Sequence, residues 1–318
     1  MPAAVFYTRY DRDGASSRTR AFEYVEPLGA LGIEAVVVPR SAPGAFEEVL
    51  RRAAAGAVVV LQKPGLTFGQ LEALADAPLV VDFDDAIWMG YGGGEPVDGI
   101  ESLRATLRRA RAVTTGSAHL AAWARGVTAA PVEVLPPSVE PARYPLRAHA
   151  RVAAPLLVWI GSSGNHRDLE AAAPALQALL GAGSVRLRIV SDRPFGWPAA
   201  EFEPWSLGGE TRLLAQADIG IMPLHDDERS RGRCGYKAVQ YQGAGLPVVA
   251  SPVGGPAEAV GVGLLAGSDA EWREAITTLA RSPELRAELG GAGRRHVEAR
   301  HSRAGTAGRL AGIIRSCS

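Results

Sequence analysis

The chain has 318 residues, enough for two domains of ordinary size. Its 34 Lys and Arg balance 34 Asp and Glu, which argues against the basic excess that general nucleic-acid binding relies on. A composition 47% hydrophobic and 21% charged is that of a globular protein, and two cysteines, Cys234 and Cys317, cannot form a disulfide framework or a four-thiolate zinc site.

The longest apolar runs, such as Leu156–Ile160, fall far short of the ~18 residues of a spanning helix. Met1–Phe6 lacks the basic start of a signal peptide. The expected setting is therefore the reducing cytoplasm. Only Lys63 and Lys237 are lysine, so 34 − 2 = 32 of the basic residues are arginine. A GC-rich genome explains most of that bias. A lysine kept against it is a candidate for a place needing a compact ammonium.

Short β-branched runs alternate with alanine- and leucine-rich helical stretches. Strands are expected at Ala3–Tyr7, Glu34–Val38, Ala57–Leu61, Leu79–Phe83, Ala112–Thr115 and Val132–Leu135. A second series is expected at Leu156–Ile160, Arg186–Val190, Glu201–Phe202, Asp218–Met222, Pro247–Ala250 and Gly263–Leu265. Apolar strands separated by helices read as buried parallel strands. The two series imply two doubly wound α/β domains. Six prolines between Pro131 and Pro155 resist helix and central strand and read as a linker. The first domain is placed at 1–150 and the second at 151–301. Residues 302–318 are expected to form a helix packing back on the first domain.

Ligands of open parallel sheets bind beyond the carboxyl ends of the strands. That rule selects Arg9–Arg20, Gln62–Gly65, Asp82–Trp88 and Gly116–His119 in the first half. In the second it selects Gly161–Arg167, Ser191–Trp197, Pro204–Ser206, His225–Lys237 and Ser251–Gly255. The sharpest of these segments begins at Arg231. A loop leads into a helix near Gly235–Ala244, Gly245 stops it, and a strand and the turn at Gly254-Gly255 follow. The helix start offers free N–H groups and a positive dipole end. Arg233, Lys237 and Gln240, spaced four and three apart, share one helix face. Two cations at a helix N-terminus suit a diphosphate, and the alternative is a solvated basic turn.

This segment resembles the signature of the family 4 glycosyltransferases, the group 1 glycosyl transferases of the GT-B fold. In many members a basic loop precedes Lys, then Glu-Tyr-Met-Ala, then Gly-x-Pro-Val-Val-Ala-Ser and Gly-Gly. The matching residues are Lys237, Gln240–Gly243, Gly245–Ser251 and Gly254-Gly255. Leu157–Ser162 and Ala217–Pro223 are similar to the strands that open the donor domain and precede the signature. Ala15–Arg20, Gln62–Pro64 and Val81–Trp88 resemble first-domain segments of one bacterial branch. The chain departs from the pattern at two positions, Gly232 and Gln240, where the family usually carries glutamates. Asp226, Asp227 and Glu228 lie just upstream as candidate substitutes.

The resemblance implies two Rossmann-like domains facing across a cleft. It further implies transfer of a sugar, with retention, from a nucleotide-diphosphate sugar to an acceptor hydroxyl. UDP- and GDP-sugars are the expected donors, with no cofactor or metal required. A glycan, a lipid-linked sugar or a small molecule is the expected acceptor, with no nucleic-acid partner, and oligomeric state stays open. On the donor side stand Gly161, Ser162, Ser163, Arg167, Trp205, His225, Arg233, Lys237, Gln240, Gly254 and Gly255. Arg233 and Lys237 would meet charge growing on the leaving diphosphate, and Gln240 the ribose. On the acceptor side stand Ser16, Ser17, Arg18, Lys63 and Asp82, with Asp84 and Asp85 at the reacting centre. Asp84 falls where related enzymes often have a histidine beside the donor sugar.

Asp82-x-Asp84 also resembles the metal-binding pair of the other glycosyltransferase fold. An Asp capping the next helix is the plain alternative. Arg104, Arg108, Arg109 and Arg111 crowd one helix, read either as a solvated face or as a dock at the inner face of a membrane. Two other functions remain in view. One is a non-catalytic nucleotide-sugar binder, favoured by the two missing glutamates. The other is a nucleotide-sugar epimerase of the same fold. No Gly-x-Gly-x-x-Gly follows the first strand, which argues against a dinucleotide-dependent dehydrogenase.

Overall fold

The computed structural model describes residues 2–89 and 99–318. They form two compact units. The first comprises Met1–Pro137, Gly232–Cys234 and Arg303–Ser318, and the second Ser138–Arg231 and Gly235–Ser302.

The first unit is a six-stranded, wholly parallel sheet. Its strands are β1 (Ala3–Thr8), β2 (Glu34–Pro39), β3 (Val58–Gln62), β4 (Leu79–Phe83), β5 (Ala112–Thr115) and β6 (Val132–Val134), in spatial order β2-β1-β3-β4-β5-β6. Its helices are α1 (Ala15–Arg20), α2 (Val25–Ala30), α3 (Ala45–Ala54), α4 (Phe68–Ala73), α5 (Ile100–Arg109) and α6 (Ala118–Arg125). Successive strand residues face opposite ways, so Val5, Val59 and Val81 join α3 to α6 in one core. Phe6, Val60 and Val80 face the other way, onto Leu28 of α2 and Leu310 and Ile314 near the C-terminus. The terminal helix thus belongs here because one sheet face is otherwise half covered.

The second unit repeats the plan. Its strands are β7 (Leu156–Ile160), β8 (Arg186–Ser191), β9 (Glu201–Pro204), β10 (Ile219–Met222), β11 (Val248–Ala250) and β12 (Leu264–Leu265), in order β12-β11-β10-β7-β8-β9 and again parallel. Its helices are α7 (Ala173–Gly181), α8 (Glu210–Gln216), α9 (Glu228–Arg231), α10 (Tyr236–Gly243), α11 (Gly254–Val260), α12 (Asp269–Arg281) and α13 (Pro283–Arg300). The last helix, α14 (Arg303–Cys317), is the one that covers the first sheet. The strands lie within two residues of the expected bounds. Asp218 closes the base of this sheet. Its carboxylate accepts from the Leu156 amide at 2.8 Å and from Arg147 at 2.9 Å.

One expectation needs correction. Ser138–Ala150, placed with the first half as linker, groups with the second unit. Proline removes self-paired N–H groups but leaves carbonyls and side chains to bond elsewhere. The Tyr144 carbonyl accepts from Arg294 at 3.1 Å, the Arg147 amide donates to Ala244 at 3.0 Å, and Val139 bonds His301. The segment is a fastened strap.

Each strand order reverses once. In the first unit the reversal lies between β1 and β3, and in the second between β7 and β10. Loops at such switch points are where open α/β sheets hold ligands. They are Arg9–Arg20 and Lys63–Gly65 in the first unit, and Gly161–Arg167 and the run from His225 in the second.

Candidate active site

In the second unit β7 ends in Gly161, beside the start of α10. Gly235 caps that helix with φ +79°, a left-handed conformation that glycine adopts without Cβ strain. A Cβ there would also lie 2.6 Å from that of Ala259. Lys237, in the first turn, carries its ammonium 5.2 Å from the centre of the Trp159 ring. That is cation–π range. A Cβ on Gly161 would stand 2.6 Å from the Trp159 ring and 2.9 Å from Lys237 Cε. The bare glycine is what lets lysine and tryptophan share this place. Below them the Ile160 amide donates to the Tyr241 hydroxyl at 3.0 Å, tying β7 to α10. Burial pushes the Tyr241 phenol far up, so it stays neutral.

The surrounding polar groups are paired among themselves. Gln240, buried in α10, donates to the Tyr144 hydroxyl at 3.3 Å. Ser163 donates its amide (2.6 Å) and hydroxyl (2.8 Å) to Asp192, which holds that carboxylate down at about 2. Ser162 accepts from Asn165 at 3.1 Å. Arg167 pairs with Asp227 at 2.7 Å, and its carbonyl lies 3.0 Å from the His225 ring. Trp205 donates to Glu210 at 3.0 Å and packs partly into the core. Gly254 and Gly255 open α11, where a Cβ on Gly254 would lie 2.4 Å from the Arg231 carbonyl. Arg233 is half-buried in the Gly232–Cys234 stretch that groups with the first unit. The structure therefore brings Gly161, Lys237 and Trp159 together. It sets Ser163 against Asp192, and Arg167 against Asp227.

In the first unit the switch-point residues form a buried polar network. Arg20 grips Asp82 with two donors, one of them at 3.0 Å, and Thr114 adds a bond at 2.5 Å. Asp82 is thus spent inside the fold, at 4% exposure. Lys63 is 3% exposed and reaches Asp84 at 3.1 Å and also Asp85. Burial opposes its charge, yet the two aspartates raise its pKa. Asp84 is held low. Burial pushes it up, but Lys63, Arg20 and the Ser16 hydroxyl at 2.5 Å outweigh that. Lys63 has φ +51°, the positive value that stands outside glycine among the described residues.

Ser17 is internal, donating to Gln62 at 2.9 Å and accepting from the Tyr10 amide at 3.0 Å. Arg18, also buried, faces Glu23 at 4.0 Å. Of the acceptor-side aspartates, Asp82 and Asp84 are buried and the Asp85 side chain is half exposed. Among the described residues no cluster of three or more His, Cys, Asp or Glu is arranged to hold a metal.

The comparisons follow this geometry. Residues 154–282 match the family model of the Glycosyl transferases group 1. The whole chain shares the GT-B fold of solved glycosyltransferases. HepE of Anabaena, crystallised with UDP and glucose, aligns with TM-score 0.74 over 98% of this chain and 99% of its own, at 15% identity. A glycosyltransferase from Rickettsia africae ESF-5 gives 0.71, covering 99% and 98% at 11% identity. WaaG, a glycosyltransferase involved in lipopolysaccharide biosynthesis, gives 0.70 over 99% of each chain at 17% identity. At these identities the likeness establishes fold. A comparison with curated proteins gave no significant match.

Both departures from the signature, Gly232 and Gln240, lie within the residues that match the glycosyl transferases group 1 model. The acidic residues upstream of Gly232 are engaged: Asp226 pairs with Arg231 at 2.9 Å, and Asp227 with Arg167. Sequence reasoning missed Tyr144 as partner of Gln240 and Asp192 as partner of Ser163, pairs 96 and 29 residues apart. It named Trp159 only as strand. The basic residues of α5 divide: Arg104 pairs with Glu101 at the surface at 2.7 Å and Arg108 is exposed, as on a solvated face, while Arg109 and, just beyond the helix, Arg111 are structural. Arg109 donates to the carbonyls of Leu71 (2.9 Å), Leu74 and Ala77 at the end of α4, and Arg111 donates to Cys317 at 2.7 Å. No helix of the described residues is long and apolar enough to cross a membrane.

Proposed function

We propose that the chain moves a sugar from a nucleoside-diphosphate sugar to an acceptor hydroxyl, with retention at the anomeric carbon and no required metal. The observation that carries this is Lys237 beside Trp159 over bare Gly161, at the start of α10 and the switch point of the second sheet. An ammonium at the positive dipole end of a helix suits a diphosphate, in the ground state and more so as its charge grows on leaving. UDP- or GDP-sugar is the expected donor, and HepE, of the same fold, was crystallised with UDP-glucose. The Gln240 amide, expected at the ribose, is donated instead to the Tyr144 hydroxyl.

The acceptor oxygen forms its bond to the anomeric carbon as the bond to the diphosphate breaks. The acceptor proton passes to the departing phosphate oxygen, so no protein nucleophile is needed. The first unit, through Asp85 and the network holding it, receives the acceptor. The proposed setting is cytoplasmic.

The test is a thermal-shift panel of UDP, GDP, dTDP, ADP and CMP, each with and without Mg. One nucleoside diphosphate raising the midpoint regardless of metal supports the reading. No shift with any of them contradicts it. A second reading, a binder that has lost transfer, is favoured by the pairing of Asp226 and Asp227 and by the absence of a carboxylate at 232 and 240. A nucleotide that binds, with no sugar released or transferred from its sugar conjugate, selects it.

A further inference from the structure

Two segments leave the polar network of the first unit. From Lys63 the chain runs through Pro64, Leu66 and Phe68. From Asp85 it runs through Ile87 and Trp88. With Ile100 at the start of α5 they wall a pocket of about 710 Å³. The walls are mostly apolar, with Arg9 and Glu101 as its charged lining. Trp88 is fixed in place by stacking on Trp123, ring centres 4.2 Å apart and 11° from parallel. Phe68 is 61% exposed and neighbouring Met89 is 39% exposed. Large apolar side chains gathered in the open around a concavity mark a place where something apolar binds.

Two charged residues stand just outside this lining along the chain. Asp85 stands two residues before Ile87, and Lys63 directly before Pro64. The buried ammonium of Lys63 fixes the half-exposed Asp85 carboxylate, which can then accept bonds from hydroxyl groups. An apolar slot next to a clamped carboxylate fits a molecule that is hydroxyl-rich at one end and hydrocarbon at the other.

We propose that this pocket holds the apolar aglycone of a glycoside acceptor, with Asp85 bonding a hydroxyl of its sugar. The inference rests on the transferase reading and narrows its acceptor to an alkyl or aryl glycoside. The probes are octyl β-D-glucopyranoside below its micelle concentration, phenyl β-D-glucopyranoside and methyl β-D-glucopyranoside. Each is titrated by ligand-observed NMR against the wild type, Phe68→Ser and Asp85→Ala. UDP binding is measured on the same samples.

The octyl or the phenyl glucoside should bind about tenfold or more tightly than the methyl glucoside, as burying one alkyl or ring substituent implies. Whichever gains identifies the aglycone as alkyl or aryl. Phe68→Ser should remove most of that gain, and Asp85→Ala should weaken all three probes. Phe68 is exposed, so Phe68→Ser should fold and keep wild-type UDP affinity, and a thermal melt checks the fold of Asp85→Ala, whose carboxylate pairs with the buried Lys63. Equal affinities for all three probes, or a gain that survives Phe68→Ser, overturns the proposal. If UDP binds while the aglycone gain is absent, the acceptor inference alone fails. If UDP does not bind, it is the transferase reading that fails.

Discussion

The ammonium of Lys237 lies 5.2 Å from the centre of the Trp159 ring, and Gly161 leaves no atom in their way. This relationship joins the end of β7 to the first turn of α10. A methyl group at 161 would press on both side chains at once. Gly161→Ala should therefore displace Lys237 and weaken nucleotide binding about tenfold, equivalent to about 1.4 kcal/mol. Because Trp159 is a core residue, the melting temperature should fall as well, by an amount equivalent to about 1–3 kcal/mol of overpacking. Calorimetric titration beside a thermal melt checks both halves of this statement.

Asp84 and Lys63 make stability depend on pH in a defined way. Asp84 has a folded pKa below its unfolded value, because Lys63, Arg20 and Ser16 outweigh the opposing effect of burial. Its contribution is present above about pH 4 and is lost as pH falls through the folded value. Lys63 is raised, so its contribution is complete below about pH 10 and is lost only on further rise. These two contributions should be flat from about pH 5 to 9, whereas His149, His166 and His296, whose pKa values burial lowers, should lower the denaturant midpoint below about pH 6.5. Lys63→Met leaves Asp84 buried without its near cation and should cost about 3 kcal/mol at neutral pH. That deficit should shrink toward pH 4 as Asp84 takes a proton. A deficit independent of pH would contradict the ion-pair account.

Arg286, in the first turn of α13, is wholly buried and caps the end of α12. It donates to the carbonyls of Leu279 (2.7 Å), Ala280 (3.1 Å) and Ala150 (2.7 Å). The last carbonyls of a helix have no partner within it. Arg286→Ala would take the partner from two of them, and from the Ala150 carbonyl, and leave a cavity. The expected loss is about 3 kcal/mol, read as a lowered denaturant midpoint. Arg109, which does the same for α4, should give a smaller loss because it is half-exposed.

Gly235 combines positive φ with close packing against Ala259 and Pro256. Gly235→Ala should cost about 1–3 kcal/mol through strain. Because it sets the start of α10, nucleotide affinity should fall with it. An unchanged midpoint and affinity would show that the turn is not held as described.

The strands were legible because buried parallel strands are short apolar runs, and residues such as Leu79–Phe83 announce themselves. Gly161, Gly235 and Lys237 were legible because glycines and a cation at a strand end and a helix start have few other uses. What stayed hidden depends on residues far apart in the chain. Nothing local says that Asp82 belongs to Arg20, that Asp192 will sit on Ser163, or that Tyr144 will meet Gln240. The proline-rich strap was misjudged for the same reason. Its composition describes what its backbone cannot do, while its place is set by Arg294 and His301. Arg104 and Arg108 lie at the surface as a solvated face would have them, but sequence does not show that Arg109 faces the carbonyls at the end of α4.

The most direct test is calorimetric titration of UDP and UDP-glucose into the wild type and Lys237→Met. The donor-site account predicts one site per chain in the wild type. It predicts at least tenfold weaker binding in the variant, at an unchanged melting temperature. Equal affinity in the two proteins would show that the diphosphate is held elsewhere and would contradict the account.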